Sequence, residues 1–169
     1  MCLGLTSCGE PAQRMLDWKS QYHDLSFRYP DRWTLEVTEA SESLTIAGLS
    51  VDEEVKSYTV KVSPDDGEDD LALDYYQFEK ERAEKEPRMR LLKEAVEEVH
   101  GAEYLKLVFL RELSPRQKQI EHVWIRSTGK ELIEIRISFP RTLEGEKSGE
   151  LPVDIQELEK GIFIFEEQQ

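Results

Sequence analysis

In residues 132–139, apolar side chains recur at every second position, and this repeat constrains the fold more than any other part of the sequence. The apolar positions are Ile133, Ile135, Ile137 and Phe139, and the polar positions between them are Glu134, Arg136 and Ser138. A repeat of two residues is typical of a strand that buries one face and leaves the other in water. Since Pro140 cannot donate a ladder hydrogen bond, we expect the strand to end there. The chain therefore needs a sheet with at least one core-facing side.

Two further strands precede this one and extend it into a meander. Residues 120–126 are separated from it by the segment 127–130, in which Gly129 provides the conformation that a hairpin turn needs. Residues 102–111 are rich in Tyr, Leu, Val and Phe, and a turn signal at residues 114–116 follows them. We therefore predict three consecutive antiparallel strands.

Residues 90–99 satisfy both a strand repeat and a helix repeat. We predict a strand there because Val96 and Val99 are β-branched and because the segment directly precedes the meander. Earlier in the chain, four shorter strands are predicted at residues 25–28, 33–38, 44–47 and 58–62.

A first helix is predicted after the turn at residues 63–67, with Asp69 or Asp70 as its N-cap. It runs to about residue 85, and Pro87 ends it. The expected core-facing residues are Leu71, Tyr75 and Phe78.

A second helix is predicted after Pro152, with Asp154 as its N-cap. Its apolar face consists of Ile155, Leu158, Ile162 and Phe165. Runs of strands that are interrupted by two lone helices indicate an α+β fold with an antiparallel sheet flanked by helices.

The charge of the chain excludes one class of partner. The 169 residues carry a formal net charge of -14, which repels phosphate backbones and anionic lipid headgroups alike, so we predict no nucleic-acid partner. Residues 36–103 hold twenty acidic and eight basic residues, whereas residues 104–145 hold five acidic and eight basic residues. No run approaches the roughly 18 apolar residues that a membrane-spanning helix needs.

Near the amino terminus, Leu5, Thr6, Ser7 and Cys8 resemble a bacterial lipobox. This resemblance implies a diacylglycerol on Cys8, residues 1–7 as the remnant of a signal peptide, residues 8–23 as a tether and residues 24–169 as one folded domain. Seven residues without Lys or Arg are too short for a signal peptide. We therefore expect that Met1 is a misassigned start and that the signal lies upstream; the alternative is a chance tetrad in a free terminus.

The segment 25–33 reads LSFRYPDRW and combines Phe27, a Tyr29-Pro30 turn and Trp33. It resembles the opening of the PsbP-like fold, in which a phenylalanine-containing strand meets a Tyr-Pro turn and then a tryptophan. The order of predicted elements is similar to that family over residues 24–166. The resemblance implies an α/β/α sandwich.

Proteins of this fold include the extrinsic photosystem II protein, Ran-binding Mog proteins, DcrB-type bacterial lipoproteins and Eag-type chaperones of type VI secretion effectors. They share a scaffold and not a function. Together with the lipobox, the resemblance predicts a lipid-anchored, extracytoplasmic binding or accessory protein of the cell envelope. Its partners are then a membrane, through Cys8, and an unidentified protein. The alternative is a cytoplasmic Eag-type chaperone that binds an apolar effector segment.

Residues that carry catalytic chemistry are sparse. His23, His100 and His122 lie at no metal-ligand spacing, and we interpret His122 as a half-buried packing residue because Ile120 and Trp124 share its side of a strand. We predict no enzymatic activity, no cofactor and no metal site. The acidic run at residues 65–70 favours a helix-capping turn over a weak cation site.

Three residues are candidates for contact with a protein partner. Tyr75 and Tyr76 are adjacent on the first helix and cannot both face the sheet, so Tyr76 is expected at the rim. Trp124 and Arg126 lie on one strand of the meander and are residue types favoured at interfaces. The alternative for Tyr76, Trp124 and Arg126 is core packing.

Overall fold

The computed structural model describes residues 14–23, 25–50, 56–67, 70–99 and 101–141. These ranges contain nine strands and one helix. In chain order the elements are β1 (Met15–Lys19), β2 (Ser26–Pro30), β3 (Trp33–Glu39), β4 (Leu44–Ser50), β5 (Ser57–Pro64), α1 (Leu71–Lys85), β6 (Met89–Val99), β7 (Ala102–Ser114), β8 (Gln117–Ser127) and β9 (Glu131–Pro140). Within these ranges, no helix has the length and apolar character that crossing a membrane requires.

Seven strands form one antiparallel sheet in the order β3-β4-β5-β9-β8-β7-β6. The predicted meander is β7, β8 and β9, and the predicted turn at residues 127–130 joins the last two strands. Gly129 has a φ of 81° in that turn, a conformation that glycine adopts without steric hindrance. The ambiguous segment at residues 90–99 is a strand, β6, as predicted. The antiparallel sheet of the expected fold class is therefore confirmed.

The sheet buries apolar side chains on both faces. The face away from α1 carries the larger core, with Ile46, Val60, Trp124, Ile135 and Ile137 at its centre. A smaller core beneath α1 consists of Ala72, Ala83, Met89, Leu107, Phe109, Val123 and Ile125. Because β7 and β8 contribute to both cores, their side chains are buried in nearly continuous runs.

The polar side of β9 was expected to face water, and this prediction is wrong. Glu134 is only 5% exposed and Ser138 only 9%. Arg136 Nη2 lies 3.0 Å from Oε1 of Glu79, which belongs to α1. The alternation in β9 therefore separates an apolar core from a buried charged layer under the helix.

The helix α1 begins and ends as predicted. The side chain of Asp70 caps it by accepting a hydrogen bond of 3.2 Å from the backbone N–H of Leu73. The predicted core-facing residues are partly wrong, because Phe78 is 57% exposed. The helix instead buries Ala72, Glu79 and Ala83. Small alanines let the helix approach the sheet closely, and Glu79 meets the charge of Arg136 there.

The predicted tether and the predicted second helix have different outcomes. Residues 15–19 were assigned to a tether with a short helical turn, but they form β1, which pairs with β2 in a separate two-stranded sheet. Trp18 and Tyr29 of that hairpin pack partly buried against the larger core. Cys8, the signal-peptide remnant and the second helix after Pro152 lie outside the described residues, so α1 is the one flanking helix in the described part.

Candidate functional site

The predicted partner-binding residues lie on opposite faces of the sheet. Trp124 and Arg126 share the face of β8 that packs into the larger core, where they pair with Ile135 and Ile133 of β9. Tyr76 lies on α1, which covers the other face. The three residues therefore do not form one site.

Trp124 is 1% exposed, so its ring is part of the core. The Nζ atom of Lys106 lies 4.5 Å from the centroid of this ring, a cation–π geometry. The same Nζ atom lies 2.6 Å from a carboxylate oxygen of Glu97. The surroundings of Trp124 favour the packing alternative.

Arg126 is half-buried and its guanidinium lies 5.8 Å from the centroid of the Tyr104 ring. Tyr104 is fully buried, and this burial raises the pKa of its hydroxyl to about 12 although the Arg126 charge lowers it. Arg126 therefore covers a buried tyrosine, and its contact with a partner stays a prediction.

Tyr76 is half-buried at the edge of the helix, as predicted for a rim residue. Its hydroxyl donates a hydrogen bond of 2.8 Å to Glu94 on β6, and Lys80 lies at the same distance from that carboxylate. Burial and the Glu94 hydrogen bond raise the pKa of Tyr76 to about 12. These contacts attach α1 to the edge strand β6, and a role in partner binding stays a prediction.

His122 lies on the core side of β8, and its ring contacts those of Trp124 and Phe139 at centroid distances of 5.5 and 5.6 Å. Burial, with the nearby charges of Lys106 and Lys93, lowers its pKa to about 3. His122 is thus an uncharged packing residue at neutral pH, as the sequence indicated.

A charged cluster lies between α1 and the sheet, and the sequence analysis missed it. In this Arg136 cluster, one guanidinium contacts three carboxylates, those of Glu79, Glu121 and Glu134. All three carboxylates belong to buried residues. Burial lowers the pKa of Arg136, but the three negative charges outweigh that effect and raise it above its ordinary value. The only signal in the sequence was the alternation of Glu134 and Arg136 with isoleucines, which is also typical of an exposed face.

The Arg136 cluster is balanced in charge. Arg82 contacts Glu79 at 2.7 Å and Glu121 at 3.7 Å, and Arg111 approaches Glu121 at 3.8 Å. The guanidinium of Arg136 occupies the space among the carboxylates that a cation would need. In the ranges that the structure describes, no group of three or more His, Cys, Asp or Glu residues could hold a metal ion. The geometry of this cluster holds the helix on the sheet.

The sequence analysis also missed a contact that fixes the N-terminal hairpin to the sheet. His23 is 6% exposed, its Nδ1 lies 2.6 Å from Oε1 of Glu131, and its Nε2 lies 3.1 Å from the carbonyl oxygen of Ala40. Ser20 donates to Glu39, which also accepts from the backbone N–H of Gln21. Both ring nitrogens of His23 face acceptors, which is the arrangement that suits a protonated imidazole.

We expect the His23 contact to make stability depend on pH. Burial lowers the pKa of His23, but Glu131 and Ala40 together raise it above the ordinary value of 6.5. The folded protein then holds this proton more tightly than the unfolded chain. The stabilisation is complete below pH 6.5 and is lost as the pH rises through the folded-state pKa.

Urea denaturation between pH 6 and pH 9 measures this effect, with His23→Gln as the comparison. The wild-type free energy of unfolding falls over this range by more than that of the variant. The lowered pKa of His122 affects a different pH range and in the opposite direction. It reduces the free energy of unfolding only as the pH falls below 6.5. Parallel curves for wild type and His23→Gln would contradict the prediction.

The described residues of the acidic run are 65–67 and 70, and they lie between β5 and the capped start of α1, as expected for a capping turn. Asp65 is 5% exposed and accepts hydrogen bonds from Ser127 Oγ at 2.5 Å and from the N–H of Gly67 at 2.8 Å. Its own N–H donates to the carbonyl of Lys130 at 2.8 Å. Asp65 therefore joins the β5–α1 connection to the β8–β9 turn, and Asp70 caps the helix.

A groove of about 390 Å³ lies at the carboxyl end of α1. Its lining consists of Phe78, Glu81, Arg82, Lys85, Glu86 and Pro87. The exposed ring of Phe78 gives the groove an apolar wall with charges of both signs around it. Among the described residues, this lining combines an apolar wall with charged groups and includes no nucleophile beside a base.

Comparisons by sequence identify no relative. No family model matches the chain. No curated protein matches it.

Comparisons by structure identify the fold. The Ran-binding protein Mog1p of Saccharomyces cerevisiae matches with a TM-score of 0.53 and 15% identity, over 87% of this chain and 93% of Mog1p. Cyanobacterial PsbP (CyanoP) of Synechocystis matches with a TM-score of 0.51 and 18% identity, over 85% of this chain and 90% of CyanoP. LpqN of Mycobacterium tuberculosis, described as involved in cell envelope biogenesis, matches with a TM-score of 0.50 and 11% identity, over 89% of this chain and 84% of LpqN.

A fourth structure is longer than this chain. A Bacteroides thetaiotaomicron protein matches with a TM-score of 0.54 and 14% identity over 90% of this chain, which spans about half (48%) of that protein. Identities this low establish the fold alone. The resemblance that Phe27, Tyr29, Pro30 and Trp33 indicated is thus confirmed at the level of architecture: the chain has a PsbP/Mog1-like fold.

Proposed function

We propose that this chain is a non-enzymatic binding or accessory protein that a lipid on Cys8 holds at a bacterial membrane, outside the cytoplasm. The observation that carries the proposal is the position of the Leu5-Thr6-Ser7-Cys8 tetrad directly ahead of the folded part. β1 begins at Met15, seven residues after Cys8. Seven residues span at most about 25 Å, so a lipid on Cys8 would hold the sheet close to the membrane surface.

The ionisable groups of the described part support a binding role over a catalytic one. Arg136 neutralises three carboxylates, His23 contacts two acceptors, and His122 is uncharged in the core. A general acid or base needs an ionisable group that reaches a substrate in a cleft. The buried groups of this molecule serve packing and attachment instead.

One structural neighbour supports a role in the cell envelope. LpqN is described as a protein of cell envelope biogenesis, and it shares the fold over most of both chains. Each buried methylene of an acyl chain contributes about 0.8 kcal/mol, so the several chains of a bacterial lipoprotein hold a small domain firmly. A folded domain on a short tether is what such an anchor can position.

Mass spectrometry of the protein from its native host tests the proposal. The gene is expressed at its own locus with the DNA upstream of the Met1 codon, as wild type, Cys8→Ser and Cys2→Ser. We expect the wild-type and Cys2→Ser proteins to begin at a diacylated Cys8 and to partition into the detergent phase. Cys8→Ser is expected to lose the lipid and that partitioning.

An unmodified Cys8 behind an intact Met1 would contradict the anchor. Cys2→Ser is the matched control, since it removes the other cysteine and leaves the tetrad unchanged. A stop codon directly upstream of Met1 in the reading frame would contradict it as well.

A second candidate function is that of a cytoplasmic chaperone of the Eag type, which binds an apolar effector segment. The exposed ring of Phe78 in the groove favours it, since an apolar segment needs an apolar wall. The Cys8 experiment separates the two functions, because the chaperone keeps Met1 and carries no lipid.

A further inference from the structure

The two ends of the sheet carry opposite charge. One end contains the turn between α1 and β6 and the turn between β7 and β8, with Arg88, Arg90, Arg116 and Lys118. We call these four residues the basic end. Arg88, Arg90 and Arg116 are exposed, and Lys118 is partly exposed.

The cations of the basic end are close to one another. Lys118 Nζ lies 3.0 Å from a carboxylate oxygen of Glu112. Lys118 first, and then Arg90 and Arg88, lower the pKa of Glu112, so all three charges act on the same carboxylate. Three cations around one glutamate, with exposed Arg116 in the neighbouring β7–β8 turn, leave this part of the surface positive in a chain whose net charge is -14.

The opposite end of the sheet is acidic. It contains the β3–β4, β5–α1 and β6–β7 connections. Five exposed acidic residues lie there: Glu42, Asp66, Asp70, Glu98 and Glu103. Glu98 and Glu103 are direct partners across β6 and β7, where like charges repel each other. The described part of the molecule therefore has an electric polarity along its strands.

The N-terminal hairpin enters the fold at the basic end. The carbonyl of Arg14 accepts a hydrogen bond of 3.0 Å from the N–H of Asp31, which lies in the turn that leads into Trp33 at the start of β3. Trp33 pairs with Ser50, at the end of the sheet where β8 begins and β9 stops. A tether from Cys8 therefore joins the folded part at the same end as the four cations.

Because the tether and the four cations lie at the same end of the sheet, we infer that the basic end faces an anionic membrane surface and sets the orientation of the domain on it. The inference rests on the proposed function, in which a lipid on Cys8 holds the chain at a membrane. A single cation near an anionic bilayer is attracted over about one Debye length, which is roughly 8 to 10 Å at physiological salt. A tether that spans at most about 25 Å lets the basic end come within that range, where its cations are attracted, whereas the acidic end is repelled. The domain then stands with its strands directed away from the lipid.

Chemical footprinting on vesicles tests the orientation. The full chain with Cys2→Ser is coupled through Cys8 to a maleimide lipid, in vesicles of phosphatidylcholine with or without phosphatidylglycerol. Acetylation rates are compared at Lys118, in the basic end, and Lys130, an exposed residue in the β8–β9 turn at the other end of β8. We expect phosphatidylglycerol to lower the Lys118 to Lys130 rate ratio about threefold or more, and about 1 M salt to restore it.

A matched pair of variants assigns the effect to position rather than to net charge. Arg88→Gln, Arg90→Gln and Arg116→Gln together are expected to abolish the dependence on phosphatidylglycerol. Lys19→Gln, Lys61→Gln and Lys93→Gln together remove the same charge from exposed sites elsewhere and are expected to preserve it. Circular dichroism verifies that both triple variants are folded.

An equal rate ratio on both kinds of vesicle would overturn the inference and leave the basic end to an acidic protein partner. Protection of Lys130 instead of Lys118 would overturn it too. Because the lipid is attached chemically, the footprint is independent of acylation in the cell. An unmodified Cys8 in the native host would contradict the proposed function only. A footprint that is the same with and without phosphatidylglycerol would contradict this inference only.

Discussion

Replacing Arg136 by methionine is expected to destabilise the protein by about 3 to 5 kcal/mol, the range for breaking a buried ion pair on one side. The substitution removes the guanidinium and leaves the carboxylates of Glu79, Glu121 and Glu134 close together under α1. Their mutual repulsion and the lost hydrogen bonds both favour the unfolded chain. Urea denaturation measures the loss as a lower midpoint with an unchanged slope.

Two comparisons separate the charge of Arg136 from its volume. Adding Glu134→Gln to Arg136→Met removes the carboxylate that Arg136 neutralised, whereas Glu79 and Glu121 still contact Arg82, and is expected to restore part of the lost stability. Arg28→Met is the surface control, because Arg28 pairs with Asp17 at 3.0 Å while both side chains are more than half exposed. That pair contributes about 0 to 1 kcal/mol. If Arg136→Met were no more destabilising than Arg28→Met, the Arg136 cluster would not hold the helix in place.

Replacing Gly48 by alanine is expected to destabilise the protein by about 1 to 3 kcal/mol or more, the range for adding atoms to a packed core. Gly48 pairs with Tyr58 across β4 and β5. A Cβ atom on Gly48 would overlap the ring of Tyr58, which is 1% exposed and lies 5.3 Å from the ring of Trp33. The ring cannot move aside without disturbing the larger core, so the backbone of β4 has to shift. Thermal denaturation measures the effect.

A double-mutant cycle tests the stated cause. In a Tyr58→Leu background the overlapping ring is absent, so Gly48→Ala is expected to have little further effect on the free energy of unfolding. Leu49→Ala, at a neighbouring position whose side chain is 49% exposed, is expected to change stability by less than about 0.5 kcal/mol. If Gly48→Ala lowered the free energy of unfolding equally in both backgrounds, the cause would be a backbone requirement at Gly48 and not overlap with the Tyr58 ring.

The meander and α1 were predictable because their signals are local. The glycine turn at residues 127–130, the capping residue Asp70 and the β-branched residues of β6 act over a few positions in the chain. The architecture was predictable from residues 25–33 for a similar reason. Tyr29 and Trp33 lie on either side of one turn, and both pack against the larger core.

The buried charges were not predictable, since they depend on partners far away in the sequence. Arg136 meets Glu79 from a helix more than fifty positions earlier, and His23 meets Glu131 from the opposite half of the chain. An alternating strand has the same composition whether its polar side faces water or an oppositely charged helix. β1 was missed because its five residues, with one aromatic ring and the charges of Asp17 and Lys19 among them, carry too short a pattern.

The pairing of β5 with β9 joins Ser57 to Ser138 at the centre of the sheet. β5 therefore lacks its second neighbour until almost the whole described sequence has been synthesised. Contacts between such distant positions slow folding, because a large loop must close before they form. A polypeptide with this strand order can complete the centre of its sheet only after β9 is available, so the first half of the described sequence depends on the second half for its last strand partner.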